Sequence, residues 1–408
     1  MNEATYQFEQ GNQASRWLML GLVWLLYASF GITQGSIPPV AGLVIEDLGI
    51  TYSQMGLVLG FWQLVYIGTS LPLGHLVDRL GVRRSLGIGI LFVWFSLCLR
   101  GLAPNFTVLL FAVALFGIGG PIISIGAPKV VSMWFRSKDR GLAAGIYTTG
   151  PLAGSAIALA TAASLVLPLT GSWRGIAPVY GTIVFLVMAA WWILAKDINQ
   201  PSSTSSPQHS GYQTFKRIAK IPTVRVVLVL AIGSFFMSHG LMAWTPSILQ
   251  ERGMTLSQAG WWSAAGTAAG VVGLVFLPLA GRYISRPQML RILFVVSATS
   301  NLGLITLRGP ALVGALIFSN MARAPLMPLL ILILMETPGV GSVFMGAAAG
   351  LFFSAAEIGG VGGPLVLGVT RDMTGSLDLG VLALVAVAVV MTFVVPLVRE
   401  NQIKGNVR

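Results

Sequence analysis

Charge is scarce in this sequence. Only 9% of its 408 residues are Asp, Glu, Lys or Arg, against about a quarter in a soluble protein. With 55% hydrophobic residues and a mean hydropathy of +0.81, that shortage excludes a large soluble core, whose helices would need polar outer faces. A single cysteine, Cys98, excludes a disulfide within the chain and a cysteine-rich metal site. Acids are fewer than bases, 13 against 25, for a net charge of +12. The excess does not read as nucleic-acid binding, because no polar helix carries a Lys/Arg stripe. Nothing resembles HExxH, a phosphate-binding loop or a nucleophile–base pair, so an enzyme is not expected, nor a cofactor or metal. No extra soluble domain supports a receptor. The first fifteen residues are polar, carry Glu3 and Glu9, and lack the features of a removable signal peptide.

What the chain has instead is long apolar runs. A helix crossing the hydrocarbon core needs about 20 largely apolar residues. Twelve runs qualify: 17–40, 53–74, 85–102, 106–130, 141–167, 174–195, 224–249, 256–280, 288–307, 310–335, 343–370 and 377–398. Twelve spans put both termini on one side of the membrane. With the N-terminus inside, eighteen Lys and Arg fall in inner loops and tails. Five fall outside: Arg100, Arg174, Arg252, Arg308 and Arg371. The positive-inside rule therefore makes both termini cytoplasmic, in a multi-pass protein of the plasma (inner) membrane.

The polar stretch from Lys196 to Pro222 contains Pro201-Ser202-Ser203-Thr204-Ser205-Ser206-Pro207, which is linker composition. It separates an N-terminal six-helix bundle, residues 1–195, from a C-terminal one, residues 223–408, with 196–222 as cytoplasmic linker. The halves repeat. Gly49-x-Thr51-x-Ser53-Gln54-x-Gly56 recurs as Gly253-x-Thr255-x-Ser257-Gln258-x-Gly260, where Thr or Ser can cap a helix. Gly74-x4-Arg79 recurs as Gly281-x4-Arg286, Leu99-Arg100-Gly101 as Leu307-Arg308-Gly309, and Gly150-Pro151 as Gly363-Pro364. Four matches in one order indicate two homologous halves, an arrangement that transporters use to build a site near the midplane.

Between the second and third runs lies Gly74-His75-Leu76-Val77-Asp78-Arg79-Leu80-Gly81-Val82-Arg83-Arg84, which reads as a tight charged turn. Its glycines, acid and arginines resemble the loop signature of the major facilitator superfamily, keeping Gly74, Asp78, Arg79, Gly81, Arg83 and Arg84. Trp134-Phe135-x3-Asp139-Arg140-Gly141-x3-Gly145 also resembles that superfamily. The resemblance implies an all-α membrane protein of twelve helices in two pseudo-symmetric six-helix bundles. It also implies that Asp78, supported by Arg79 and Arg83, helps hold one state of a gate. The second-half echo has Ser285 in place of the acid. Gly150-Pro151-x2-Gly154 partly resembles a proton-antiporter signature. Its alternative reading is close helix packing with a proline kink.

Polar residues at membrane depth carry the functional reading, because burying charge there is costly. Arg323 lies mid-way along the tenth run and Glu357 mid-way along the eleventh. Either Arg323 binds an anionic substrate group while Glu357 orients it or carries a proton, or the two form a structural ion pair. His239 in the seventh run could bind substrate, titrate, or bond a carbonyl. Lys129 in the fourth could bind substrate or snorkel. In the superfamily, helices one, four, seven and ten line the cavity, which adds Tyr27 and Gln34. This cationic set favours a small organic anion, most simply a carboxylate. The expectation is a secondary transporter working as a monomer by alternating access, with proton coupling an option. The alternative is a proton-coupled exporter of hydrophobic drugs.

Overall fold

The computed structural model describes residues 3–135, 137–196, 212–280 and 284–398, excepting the side chains of 3–14, 70–71, 74–75, 78, 137–138, 212–215, 276–280 and 341–343. In chain order the helices are α1 (Glu3–Gly35), α2 (Ala41–Leu48), α3 (Tyr52–Leu80), α4 (Val82–Leu102), α5 (Phe106–Trp134), α6 (Ser137–Thr161), α7 (Leu167–Thr170) and α8 (Ile176–Leu194). The second part of the chain forms α9 (Tyr212–Ala219), α10 (Pro222–Glu251), α11 (Leu256–Ala280), α12 (Arg286–Thr306), α13 (Gly309–Arg323), α14 (Leu326–Glu336), α15 (Gly341–Thr374) and α16 (Asp378–Val394). Among the described residues, ten stretches are long and apolar enough to cross a bilayer. In lipid this follows from the backbone's need to satisfy its own hydrogen bonds.

By its contacts the chain forms two units. One takes in Met1–Leu48, Gly68–Pro201 and Leu256–Ala264; the other takes in Gly49–Ile67, Ser202–Thr255 and Ala265–Arg408. The grouping therefore differs from a plain division at the linker: residues 49–67 go with the second unit and 256–264 with the first. The linker itself lies largely outside the described residues, apart from its end, which forms α9.

Within the first unit α1 packs on α6, and α4 packs on α5 and α8. Within the second, α10 packs on α15, and α12 packs on α13 and α16. The same scheme is drawn twice, and its register can be read from glycines. A Cβ on Gly150 would lie 2.9 Å from the Trp24 carbonyl oxygen, and one on Gly154 would lie 1.9 Å from that of Ala28. In the second unit, a Cβ on Gly359 would lie 2.0 Å from the Ile232 oxygen, and one on Gly363 would lie 2.2 Å from that of Phe236. The glycines correspond at an offset of 359 − 150 = 363 − 154 = 209, the carbonyls at 232 − 24 = 236 − 28 = 208. Gly150 is thus matched by Gly359. The sequence pairing of Gly150-Pro151 with Gly363-Pro364 is one helical turn out, because the proline was a weaker guide than the carbonyl each glycine must admit. The Gly150/Gly154 pair is a packing seam here, since any side chain would collide with α1.

The Gly74–Arg84 stretch is less of a loop than its composition suggests. Helix α3 runs on to Leu80 and α4 opens at Val82, leaving Gly81 alone between them with φ +78°. A left-handed backbone at one residue turns the chain, and only glycine adopts it without a steric cost. Gly49 and Gly253, the repeated residues before α3 and α11, are also left-handed, at φ +60° and +90°. After Gly49, Thr51 and Gln54 form the expected cap: the Gln54 N–H donates to Thr51 Oγ1 at 3.1 Å and the Thr51 N–H to Gln54 Oε1 at 2.9 Å.

Arg100, assigned above to an outer loop, is buried in the first unit. One terminal nitrogen donates to the Thr33 carbonyl at 2.7 Å and to Ser36 Oγ at 3.2 Å, and the guanidinium lies 5.3 Å from the centroid of Phe116. Its counterpart in the repeat, Arg308, is exposed.

Candidate functional site

The tenth apolar run does not make one helix. It breaks between Arg323 and Leu326, where Pro325 lacks the N–H that would bond the Met321 carbonyl. Gly273 of α11 fits against that carbonyl; a Cβ there would lie 2.2 Å from its oxygen. The break places Arg323 in the last turn of α13, with 8% of its surface exposed. Each nitrogen of its guanidinium makes one hydrogen bond, which leaves two of its five N–H groups. Nε donates to Ser319 Oγ at 3.3 Å, Nη1 to the Ser238 carbonyl at 3.3 Å, and Nη2 to Asn320 Oδ1 at 3.0 Å. Ser319 Oγ in turn donates to Asn301 Oδ1 at 2.7 Å. All these acceptors are neutral. Among the described residues no carboxylate pairs with Arg323. The network fixes the fork and leaves the charge uncompensated, which suits it to a planar anion.

His239 follows Ser238 on α10, so the guanidinium is bonded to the peptide group that precedes the imidazole. Its Nδ1 lies 3.2 Å from the Phe235 carbonyl oxygen, and the ring sits 5.1 Å from that of Phe235 and 5.9 Å from that of Trp62. Trp62 is buried and is also edge-on to Tyr66.

Glu357 of α15 is buried but does not meet Arg323. Its Oε2 has no hydrogen-bond partner among the described residues. Beside it is Gln63 of α3, fully buried, whose Nε2 donates to the Gly360 carbonyl at 3.3 Å while its Oε1 has no partner.

The remaining substrate candidates belong to the first unit. Tyr27 packs edge-on against Tyr147 at 5.6 Å and lies 6.4 Å from Phe30, while the neighbouring Trp24 donates to Thr149 Oγ1 at 3.0 Å. Gln34 and Lys129 are half-buried. Within the second unit the structure thus brings Arg323 and His239 together, while Tyr27, Gln34 and Lys129 belong to the first. Of the gate residues, the side chains of Gly74 and Asp78 lie outside the described residues. Arg79 and Arg84 are exposed. Arg83 donates to the Trp192 carbonyl at 2.8 Å, and Trp191 Nε1 donates back to the Arg83 carbonyl at 2.9 Å, which ties α4 to the end of α8. Trp244 is structural: its Nε1 donates to the Pro364 carbonyl at 2.9 Å.

Sequence reading passed over Gln63, Asn301 and Ser319. Each is a polar residue inside an apolar run, and that was the signal available.

The family follows from comparison. The family model described as Major Facilitator Superfamily matches residues 23–364. The chain belongs to this superfamily. Its members are transporters, so this is a multi-pass membrane protein that moves small molecules. The chain is 25% identical over 251 residues to the "Probable L-galactonate transporter" of Escherichia coli, a match spanning 58% of this chain and 55% of that protein. It is 27% identical over 387 residues to the "Probable sulfoacetate transporter SauU" of Cupriavidus necator, covering 90% and 89%. A solved structure of a bacterial homologue of the human lysosomal transporter Spinster, in an inward-facing and occupied conformation, superposes with a TM-score of 0.76 at 16% identity. That match covers 93% of this chain and 96% of the other, and it establishes the superfamily fold.

Proposed function

We propose that this protein is a secondary transporter of twelve spans with cytoplasmic termini, moving a small organic anion by alternating access with a coupled proton. The observation that carries the reading is Arg323: a buried guanidinium held by Ser238, Ser319 and Asn320 with no carboxylate to neutralise it. A permanent positive charge in that setting is costly unless an anion completes it. His239 and Trp62 supply a ring and an apolar wall beside it, fitting a carboxylate attached to a short carbon body. The names of two relatives, a galactonate and a sulfoacetate transporter, support the same chemistry. Tyr27, Gln34 and Lys129 are further contacts from the first unit, Asp78 with Arg79 and Arg83 is a gate element, and Glu357 is the proton carrier. The protein works as a monomer in the cytoplasmic membrane.

Uptake of galactonate and sulfoacetate into proteoliposomes tests the reading. Arg323→Ala loses uptake while the purified protein keeps its elution profile, and Arg323→Lys retains only a small part, because an ammonium lacks the fork. Uptake by Arg323→Ala at the wild-type rate would remove Arg323 from the site.

A further inference from the structure

The structure leaves two oxygens without donors at one buried place. Glu357 is 5% exposed and Gln63 is 0% exposed. Glu357 Oε2 and Gln63 Oε1 are both without a hydrogen-bond partner among the described residues. They meet over Gly360, one turn beyond Glu357. A Cβ built on Gly360 would lie 2.7 Å from Glu357 Oε2, 3.2 Å from Gln63 Cγ and 3.5 Å from Gln63 Nε2. Any residue larger than glycine at 360 would push the carboxyl and the carboxamide apart. The absence of a side chain at 360 therefore lets the two groups approach one backbone position.

On one side of this place the two helices are tightly seamed. A Cβ on Gly56 would lie 2.5 Å from the Pro364 carbonyl oxygen, one on Gly60 would lie 3.1 Å from that of Val361, and one on Gly368 would lie 2.2 Å from that of Tyr52. From Tyr52 to Gly60, on the N-terminal side of Gln63, the first half of α3 and the last half of α15 touch backbone to backbone.

The charged and titratable groups described on the elements packed against α15 are placed otherwise. On α3, Tyr52 is stacked on Trp244, Tyr66 is against Trp62 and Arg79 is exposed, while the side chains of His75 and Asp78 lie outside the described residues. On α10, His239 is against Trp62 and Phe235, Arg225 donates to the Ala219 carbonyl, Glu251 pairs with Arg371, and Arg252 pairs with Asp378 of α16. On α14, Glu336 pairs with Arg286. On α9, Lys216 is exposed and Arg217 lies over Phe344, near the opposite end of α15. No ion pair joins Glu357 to any of these groups.

A buried carboxyl and a buried carboxamide thus stand against the same glycine, each with an oxygen that lacks a donor, and a hydrogen shared between two such oxygens removes the cost of burying both bare. We propose that Glu357 and Gln63 form a proton-binding site, with the Glu357 carboxyl donating its O–H to Gln63 Oε1. This rests on the transporter reading above and adds the partner that makes the site. Release breaks the O–H bond, leaves its electron pair on Glu357 and gives the proton to water. The Gln63 carboxamide then turns its N–H toward the new carboxylate, a reversal open to Gln and closed to Leu or Glu. Gln63 is a positioning residue.

Infrared spectroscopy of the purified protein at neutral pH reads the site without any substrate. The wild type shows the carbonyl band of a protonated carboxylic acid, which shifts in D2O, and Glu357→Gln loses it. Gln63→Leu, which keeps the fold but removes the acceptor, retains the band at the higher frequency of an unbonded acid. A spectrum in which Glu357→Gln leaves the band unchanged, or in which the wild type has none, overturns the proposal. So does a Gln63→Leu band at the wild-type frequency. Absence of galactonate and sulfoacetate uptake would instead count against the anion reading and leave the infrared result standing.

Discussion

The carboxylate of Asp372 holds the first turn of α3 through Ser53. Its Oδ2 accepts the Ser53 N–H at 2.7 Å and also the Ser53 hydroxyl, while Oδ1 accepts the Tyr52 N–H at 3.0 Å. The first N–H groups of a helix have no partner within it, and a carboxylate placed there is favoured by hydrogen bonding and by the helix dipole. Arg371 adds to the clasp from 4.9 Å over the Tyr52 ring while paired with Glu251. Asp372→Ala is expected to lower stability by about 1 kcal/mol, the usual worth of a lost cap. Ser53→Ala in the same background should add little, since the two share one interaction. Thermal unfolding of the single and double variants checks this; additive losses would mean that the contact carries no energy.

Gly154 tests the seam between α1 and α6. A Cβ there would lie 1.9 Å from the Ala28 carbonyl oxygen, whereas one on Gly145, earlier in the same helix, meets nothing within 4 Å. Gly154→Val should therefore cost about 3 kcal/mol or more through overpacking and reduce the yield of folded protein. Gly145→Ala should be neutral. Equal tolerance at both positions, measured by yield and unfolding temperature, would contradict the packing account of this motif.

Arg100 separates a structural charge from a functional one. Removing it takes the charged donor from Ser36 Oγ and from the Thr33 carbonyl, which keeps only the Ser36 hydroxyl at 2.8 Å. Arg100→Ala is expected to cost about 2 kcal/mol while the protein that does fold transports at the wild-type rate per molecule. A loss of transport without a loss of stability would move Arg100 into the site.

Much of the fold was legible because its rule is simple. Apolar runs of membrane length must be helical, and the runs 85–102 and 288–307 became Val82–Leu102 and Arg286–Thr306. Left-handed Gly49 and Gly253 stand where the repeat placed them. What was hidden depends on rotation about a helix axis, which composition does not reveal. Arg323 and Glu357 share a depth on successive runs, yet they do not pair: one is turned toward Ser238 of α10 and the other toward Gly360 and Gln63. Arg100 reads as a loop charge by its position near the end of a run, but its long side chain reaches back to α1. Gln63 was invisible in an averaged hydropathy, although a carboxamide inside an apolar run always needs a partner.

The most direct test of the account is whether an organic anion binds through Arg323. Thermal unfolding of the purified protein with increasing galactonate or sulfoacetate should show a saturable rise in unfolding temperature, as for any ligand that binds only the folded state. Arg323→Ala should unfold within a few degrees of the wild type and show no rise. A rise of the same size and midpoint in Arg323→Ala would contradict the account.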